Sequence, residues 1–474
     1  MLLSGAGGIL GGALSKDTAP ASASLSSSSL AQLLERLREP NRLVMERYPL
    51  ETGRRQPVHT VYGGAHLFKS DSAVKLGAIG LRTLDEYGSD PFEFASVVGI
   101  DAGAELARAI HQRVRAKLER EPVEDFRIDF EDGYGNRADE EEDGHARAAG
   151  LEVAKGMSAG TLPPFIGIRI KPLSEELARR SLRTLDLFVS TVMRETGGKL
   201  PANFVVTLPK ITAREQIEVL CAALGELEKS LGLAERALPI EFMVETTQSI
   251  LGADGAASLP RFLDAAGGRC VAAHFGTYDY TASCNITAAH QHMRHPACDF
   301  AKHMMQVAYS GRGIWLSDGA TTIMPVAVHK AEKGGAPLTA EQVAENRKSV
   351  HDAWRLHATD IRHSLVHGYY QGWDLHPAQL VTRYAAVFAF FLEGLPAASL
   401  RLKNFVARAA QATLVGDVFD DAATGQGLLN FFLRGINCGA FGEDEALATG
   451  LTLEELRGRS FVQILKNRRA GAPG

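Results

Sequence analysis

Two short apolar runs each deliver a carboxylate at their C-terminal end: Pro239-Ile-Glu-Phe-Met-Val-Glu245 and Val271-Ala-Ala-His-Phe-Gly276-Thr-Tyr-Asp279. Runs of this kind are typical of strands covered on both faces. If both strands belong to a parallel barrel, Glu245 and Asp279 arrive at its C-terminal edge, where such barrels build their sites. Two acids there, without a matching set of Cys or His ligands, suit a hard cation such as Mg2+ or Mn2+. The competing reading is structural, because acids just past strands also cap the helices that follow.

Other charged residues end apolar runs in the same way. Asp129-Phe-Glu131-Asp132 closes one run before a Gly133-Tyr-Gly135 turn, and either Glu131 or Asp132 is expected to face the pocket while its neighbour faces a helix. Arg169 closes another. A guanidinium on a buried strand must be paired, and its planar fork fits a substrate carboxylate or, alternatively, Glu131 or Asp132. Lys210 ends a fourth run, where a cation can stabilise developing negative charge or keep a neighbouring acid ionised. His59 and His274 read as buried histidines satisfied by their surroundings. The loop His290-Gln-His292-Met-Arg-His295 has no second half of a zinc set and reads as a solvated or lid loop.

The elements that must position these residues recur along the chain. Val58–Tyr62, Phe126–Phe130, Phe165–Ile170, Phe204–Leu208, Ile240–Val244, Val271–Phe275, Ile314–Ser317 and Trp373–Leu375 make eight apolar runs. Between them lie stretches with apolar residues at three- and four-residue spacing, as in Ala213–Leu224. This pattern predicts an α/β fold, a TIM (β/α)8 barrel with a C-terminal helical extension. A doubly wound open sheet is the alternative, but no G-x-G-x-x-G follows the first strand.

The chain has 474 residues, 45% hydrophobic and 23% charged, enough for one barrel plus additions. A net charge of -5 without a long basic run argues against nucleic acid or an anionic membrane as partner. Five scattered cysteines without a CxxC suggest reduced thiols and a cytoplasmic protein. Residues 1–45 read as a flexible leader, rich in Ala and Ser, with an amphipathic helix opening at Leu30; the start lacks the basic n-region of a secretory signal. The barrel is expected over 46–395 and a helical lid over 396–474, with helices at Leu400–Leu414, Gly427–Leu433 and Leu453–Lys466.

Five motifs in order carry a resemblance to a known family. Val244-Glu245-Thr246 with Gly276-Thr-Tyr-Asp279, Asp129-Phe-Glu131-Asp132, Arg169, Leu208-Pro209-Lys210 and His376-Pro377-Ala-Gln379 are similar to the motifs of the citrate lyase beta subunit and HpcH/HpaI aldolase superfamily. The resemblance spans roughly residues 57–425. It implies that Glu245 and Asp279 hold Mg2+, that Arg169 grips a substrate carboxylate, and that Glu131, Asp132, Gly276 and Thr277 line the substrate site. Val418-Phe-Asp420 resembles the family segment whose aspartate serves as acid or base, so Asp420, with Arg169 and Lys210, is a catalytic candidate; as a bland alternative it caps the next helix. The chemistry implied is carbon–carbon lysis through an enolate of a 2-oxo acid or a malyl- or citryl-type substrate, with coenzyme A thioesters among the candidates. Alternatives are a malate synthase-like synthase or thioester hydrolase, an enzyme of phosphoenolpyruvate, and a catalytically silent metabolite-binding barrel. The family also implies a homo-oligomer, a trimer or hexamer, with the C-terminal segment covering a neighbour's barrel.

Overall fold

The computed structural model describes residues 24–49, 54–101, 103–331, 336–407, 413–415, 418–420, 422–447, 449–452, 454–455 and 464. Two units are distinguished, Met1–Pro49 and Leu50–Gly474. In the first, the helix expected from Leu30 runs over Ser27–Arg47, and the Ser26 hydroxyl caps it by accepting from the Ser29 N–H at 3.1 Å.

The second unit is a closed barrel of eight parallel strands in sequence order: β1 His59–Gly64, β2 Asp125–Asp129, β3 Phe165–Arg169, β4 Phe204–Leu208, β5 Ile240–Val244, β6 Cys270–Phe275, β7 Trp315–Ala320 and β8 Gln371–Asp374. Each strand lies at one of the eight apolar runs, and helices occupy the crossovers as parallel pairing requires.

Alternation along each strand sorts its residues between the barrel interior and the helical ring. On β2, Phe126 and Ile128 are apolar, while the alternate positions Asp125, Arg127 and Asp129 are charged. On β5, Ile240, Phe242 and Val244 alternate with Glu241, Met243 and Glu245. The interior is therefore charged and must be internally paired. Arg127 bridges Asp125 and Glu241, donating to Glu241 Oε2 at 2.7 Å. Thr60 donates to Asp125 at 2.8 Å and Gln371 to Thr60 at 2.9 Å. His274 Nε2 lies 2.9 Å from Glu241 Oε2, and its Nδ1 meets the Tyr62 hydroxyl at 3.0 Å. Burial alone would raise the Glu241 carboxyl, but Arg127 and His274 hold it well below the usual carboxylate range. Gly167 on β3 is required here, since a Cβ would lie 2.2 Å from the Val205 carbonyl oxygen.

The His376-Pro377-x-Gln379 motif is a turn that ties two strand ends together. The Gln379 side chain accepts from the Leu375 and His376 N–H groups at 2.7 and 3.1 Å and donates to the Thr321 carbonyl at 2.8 Å. His59 faces the ring of helices, with Nδ1 3.3 Å from Asp374, which is also gripped by Arg383 and His357. Burial pushes the His59 imidazole down to about 4.

Where the sequence suggests helices on either side of residues 395–400, one helix runs from Pro377 to Ala407, with Pro396 inside it. Its 377–405 stretch is long and apolar enough to cross a membrane by composition. In the fold it packs against the helices Ser72–Tyr87, Ala104–Arg120 and Ala340–Val366, which accounts for that character. The helix starts just past β8 and spans about 45 Å, more than twice a strand of this barrel. The extension then meets the opposite end of the barrel. Arg434, in the helix Ala422–Asn437, donates to Gln56 at 2.7 Å, and Gln56 contacts Leu316 and Gln371 at the beginnings of β7 and β8. The described part of the expected lid therefore underlies its own barrel rather than covering the mouth where Glu245 emerges. The helix expected over 453–466 lies mostly outside the described residues.

Candidate active site

Register brings the site together. Val244 pairs with Phe275, so Glu245 and Gly276 leave adjacent strands at one level, and the Gly276 N–H donates to the Val244 carbonyl at 3.0 Å. A Cβ on Gly276 would lie 2.5 Å from Glu245 Oε2, so only glycine lets this carboxylate lie against the start of the next helix, Thr277–Ser283. Asp279 is in the first turn of that helix, its side chain 42% exposed, whereas Glu245 is buried.

Lys210 occupies the centre of the acids. Its backbone has φ 49°, the left-handed region that a non-glycine residue adopts at a cost of about 1 kcal/mol or more. That conformation points its N–H at Glu245 Oε1, 2.7 Å away. Its ammonium contacts Glu131, lies 3.0 Å from Asp132 and lies 3.5 Å from Asp279. Of the two acids that the sequence leaves undecided, Glu131 is buried and Asp132 is exposed, yet both reach the same lysine.

Arg169 is committed to acids in this arrangement. It donates to both oxygens of Asp129 through Nε at 2.7 Å and Nη2 at 2.5 Å, and Nη1 lies 3.2 Å from Glu131. Asp129 also accepts from the Glu131 and Gly133 N–H groups, at 2.9 and 2.7 Å. The strand-end aspartate, rather than Asp132, thus holds the guanidinium fork, with register as the reason: Asp129 lies directly opposite Arg169. The Tyr62 ring lies beneath Arg169, 4.8 Å from its Cζ. Tyr62, Arg127 and Glu241 form the support under the site and are not singled out by motif; the signal for Arg127 and Glu241 is the two-residue alternation of β2 and β5.

Thr277 is buried, its Oγ1 without a hydrogen-bond partner among the described residues, and it faces Gly319 on β7, where a Cβ would come within 2.2 Å of it. Asp420 ends a three-residue strand, Val418–Asp420, paired antiparallel with Thr413–Val415; its side chain lies outside the described residues. In the histidine loop, His295 Nδ1 accepts from the Ala297 N–H at 3.1 Å and so caps the helix Pro296–Tyr309. That role explains the loop's His295-Pro296 step without a metal.

Five acids, Asp129, Glu131, Asp132, Glu245 and Asp279, share Arg169 and Lys210. Burial pushes the Glu245 carboxyl up to about 8, against the pull of Lys210, and raises Glu131 as well. The site has more negative capacity than its cations can neutralise, and the mismatch falls on Glu245. A divalent ion on Glu245 and Asp279 would supply the missing charge, and the hard oxygen donors fit Mg2+ or Mn2+.

A pH dependence follows with a definite sign. The folded-state value of Glu245 lies above its unfolded value, so the protonated acid contributes stability that is complete below about 4.5 and is lost as pH rises through about 8. With EDTA present, thermal unfolding should show the wild-type Tm falling between pH 6 and 9 relative to Glu245→Gln, by the equivalent of a few kcal/mol. Parallel Tm curves for the two proteins would refute the raised value.

Comparison with known proteins bears on the fold. No curated protein matches the sequence. Among solved structures, a citrate lyase from Burkholderia xenovorans LB400 aligns with a TM-score of 0.51 at 21% identity, covering 74% of this chain and 94% of that one, and shows the same barrel fold. Protein CitE from Mycobacterium tuberculosis, in complex with magnesium, acetoacetate and coenzyme A, aligns at 14% identity with a TM-score of 0.43, over 82% of this chain and 99% of that chain. Haloferax volcanii malate synthase aligns at 14% identity with a TM-score of 0.42, over 73% and 84%. A family profile described as a domain of unknown function, DUF6986, matches residues 37–464, and the chain belongs to that family.

Proposed function

We propose that the protein is a Mg2+-dependent carbon–carbon lyase that works through an enolate of a 2-oxo acid or of a malyl- or citryl-type substrate. The observation that carries this reading is the placement of Glu245. Buried against Gly276, raised to about 8 and sharing Lys210 with Asp279, it is an acid poised to exchange a proton for a cation. A divalent ion on Glu245 and Asp279 would supply Lewis acidity to a substrate carbonyl and carboxylate.

The chain's own groups then have defined tasks. The Lys210 ammonium, 3.5 Å from Asp279, would have fewer acids to satisfy with an ion bound and is placed to stabilise charge developing on the substrate oxygen. Arg169 reaches the site through Nη1 while Asp129 fixes the other side of its fork, which orients the guanidinium for a substrate carboxylate in place of Glu131. Asp129, Tyr62 and the Arg127–Glu241 pair hold that geometry rigid from below. Gly276 and Thr277 border the space that the substrate would occupy. Proton transfer needs a carboxyl not bound to the cation, and Asp420 is proposed for it. The extension begins at the far end of its own barrel, so Asp420 would act on the barrel of a second copy. A homo-oligomer with composite sites, in the cytoplasm, is part of the proposal.

The reaction is tested with a panel of 4-hydroxy-2-oxo acids and malyl- and citramalyl-coenzyme A. Turnover that requires Mg2+ and is abolished by EDTA is expected; saturable binding without turnover would instead indicate a metabolite-binding barrel, and condensation or hydrolysis products a synthase or thioesterase. Arg169→Lys should lower kcat/KM by about 2–4 kcal/mol, because a single ammonium cannot serve Asp129 and a substrate carboxylate together. Unchanged kinetics with a lowered Tm would confine Arg169 to its pair with Asp129. Asp420→Asn and Glu245→Gln should each be inactive, and co-expression of the two should restore partial activity through mixed oligomers. Full activity of Asp420→Asn would reduce that residue to a helix cap.

A further inference from the structure

Away from the barrel mouth, two helices on its flank carry matched i,i+4 pairs of metal-type side chains. The helix Pro296–Tyr309 bears Asp299 and His303, and the helix Ala340–Val366 with its C-cap bears His363 and His367. Ligand atoms of Asp299, His363 and His367 all lie within 4.8 Å of one another. The His363 and His367 ring centroids are 4.2 Å apart, and the His303 ring lies 5.7 Å from that of His367. We propose that Asp299, His303, His363 and His367 form a transition-metal site, best suited to Zn2+, that clips these two helices together.

Several features fit a metal rather than a chance cluster. Residues four apart on a helix share one face, so each helix presents a two-toothed chelate to the other. His367 Nδ1 lies 2.8 Å from the His363 carbonyl; donating there leaves Nε2 with its lone pair free, the tautomer that binds a metal, fixed by a backbone oxygen as in established sites. His363 Nε2 and Asp299 Oδ1 are 2.8 Å apart, a hydrogen bond that would open by about 0.5 Å to reach the separation of two ligands of a tetrahedral Zn2+. A metal would take the place of the Nε2 proton, with His363 in its neutral Nδ1–H tautomer. Asp299 Oδ1 also meets the buried Lys302 ammonium at 3.2 Å, and Lys302 would keep its pair with the buried Asp318, at 3.0 Å, if a dication took the Asp299 carboxylate. Three imidazoles and one carboxylate prefer Zn2+, Co2+ or Ni2+ over Mg2+, so this site and the oxygen-rich barrel mouth select different ions.

The probe is Co2+, titrated into EDTA-treated and dialysed full-length protein in the presence of excess Mg2+, and followed by its visible absorption. The expected result is one equivalent of Co2+ with tetrahedral-type bands, displaced by Zn2+ and unaffected by Glu245→Gln. His363→Gln and His367→Gln should each weaken Co2+ binding at least tenfold. His303→Gln, at an exposed position that the fold does not need, should weaken it at least threefold and serves if either of the other variants does not fold. Absence of a Co2+ equivalent in excess Mg2+, affinity within twofold of wild type in the folded histidine variants, or loss of the Co2+ bands on Glu245→Gln would each overturn the site.

Discussion

Moving a carboxylate from water to the mouth of a barrel carries a desolvation cost that cations or protons must offset. Here five acids meet two basic side chains, and the resulting imbalance organises everything around it. Asp129 receives the full fork of Arg169 and two backbone N–H groups, so it is well satisfied. Glu131, which also meets Arg169 Nη1, shares one lysine with Asp132 and Asp279. Glu245, with the Lys210 N–H as its partner and burial on every side, is the acid left to take up a proton. The left-handed backbone at Lys210 belongs to the same problem, since it allows one residue to present both its amide and its ammonium to the acids.

Below this layer the barrel interior carries buried charge as well. Arg127 lies between Asp125 and Glu241, His274 joins Glu241 to Tyr62, and Tyr62 carries Arg169 on its face. Both acids there meet Arg127, burial still pushes the Asp125 carboxyl up, and the hydrogen-bonded layer serves as a rigid base. Floor and mouth form one continuous stack of polar residues. Thr60 and Gln371 extend the stack to Gln56, where Arg434 of the C-terminal extension joins it, so the polar axis runs the height of the barrel.

Much of this was legible in the order of residues. All eight strands lie where short apolar runs occur, because strands buried on both faces leave a continuous signal, and the acids that follow β5 and β6, Glu245 and Asp279, are visible at the same time. What could not be read is pairing across strands. Whether Arg169 meets Asp129, Glu131 or Asp132 depends on the β2–β3 register, which no local pattern states. Arg127 and Glu241 were hidden inside runs that look apolar on average and become evident only at every second position. The helix Pro377–Ala407 passes through Pro396 because burial against three neighbouring helices outweighs the lost backbone hydrogen bond. The His290–His295 loop is conspicuous through closeness in sequence, whereas Asp299, His363 and His367 come together only where the helices Pro296–Tyr309 and Ala340–Val366 meet.

The central claim is that the unbalanced acids at the mouth exist to hold a divalent ion between Glu245 and Asp279. The most direct measurement is an anomalous difference map from crystals soaked with Mn2+ and pyruvate. The account predicts a peak bridging these two carboxylates, with the Lys210 ammonium withdrawn from Asp279 and the pyruvate carboxylate toward Arg169. A map with Lys210 still seated among the acids and no peak at Glu245 would contradict it.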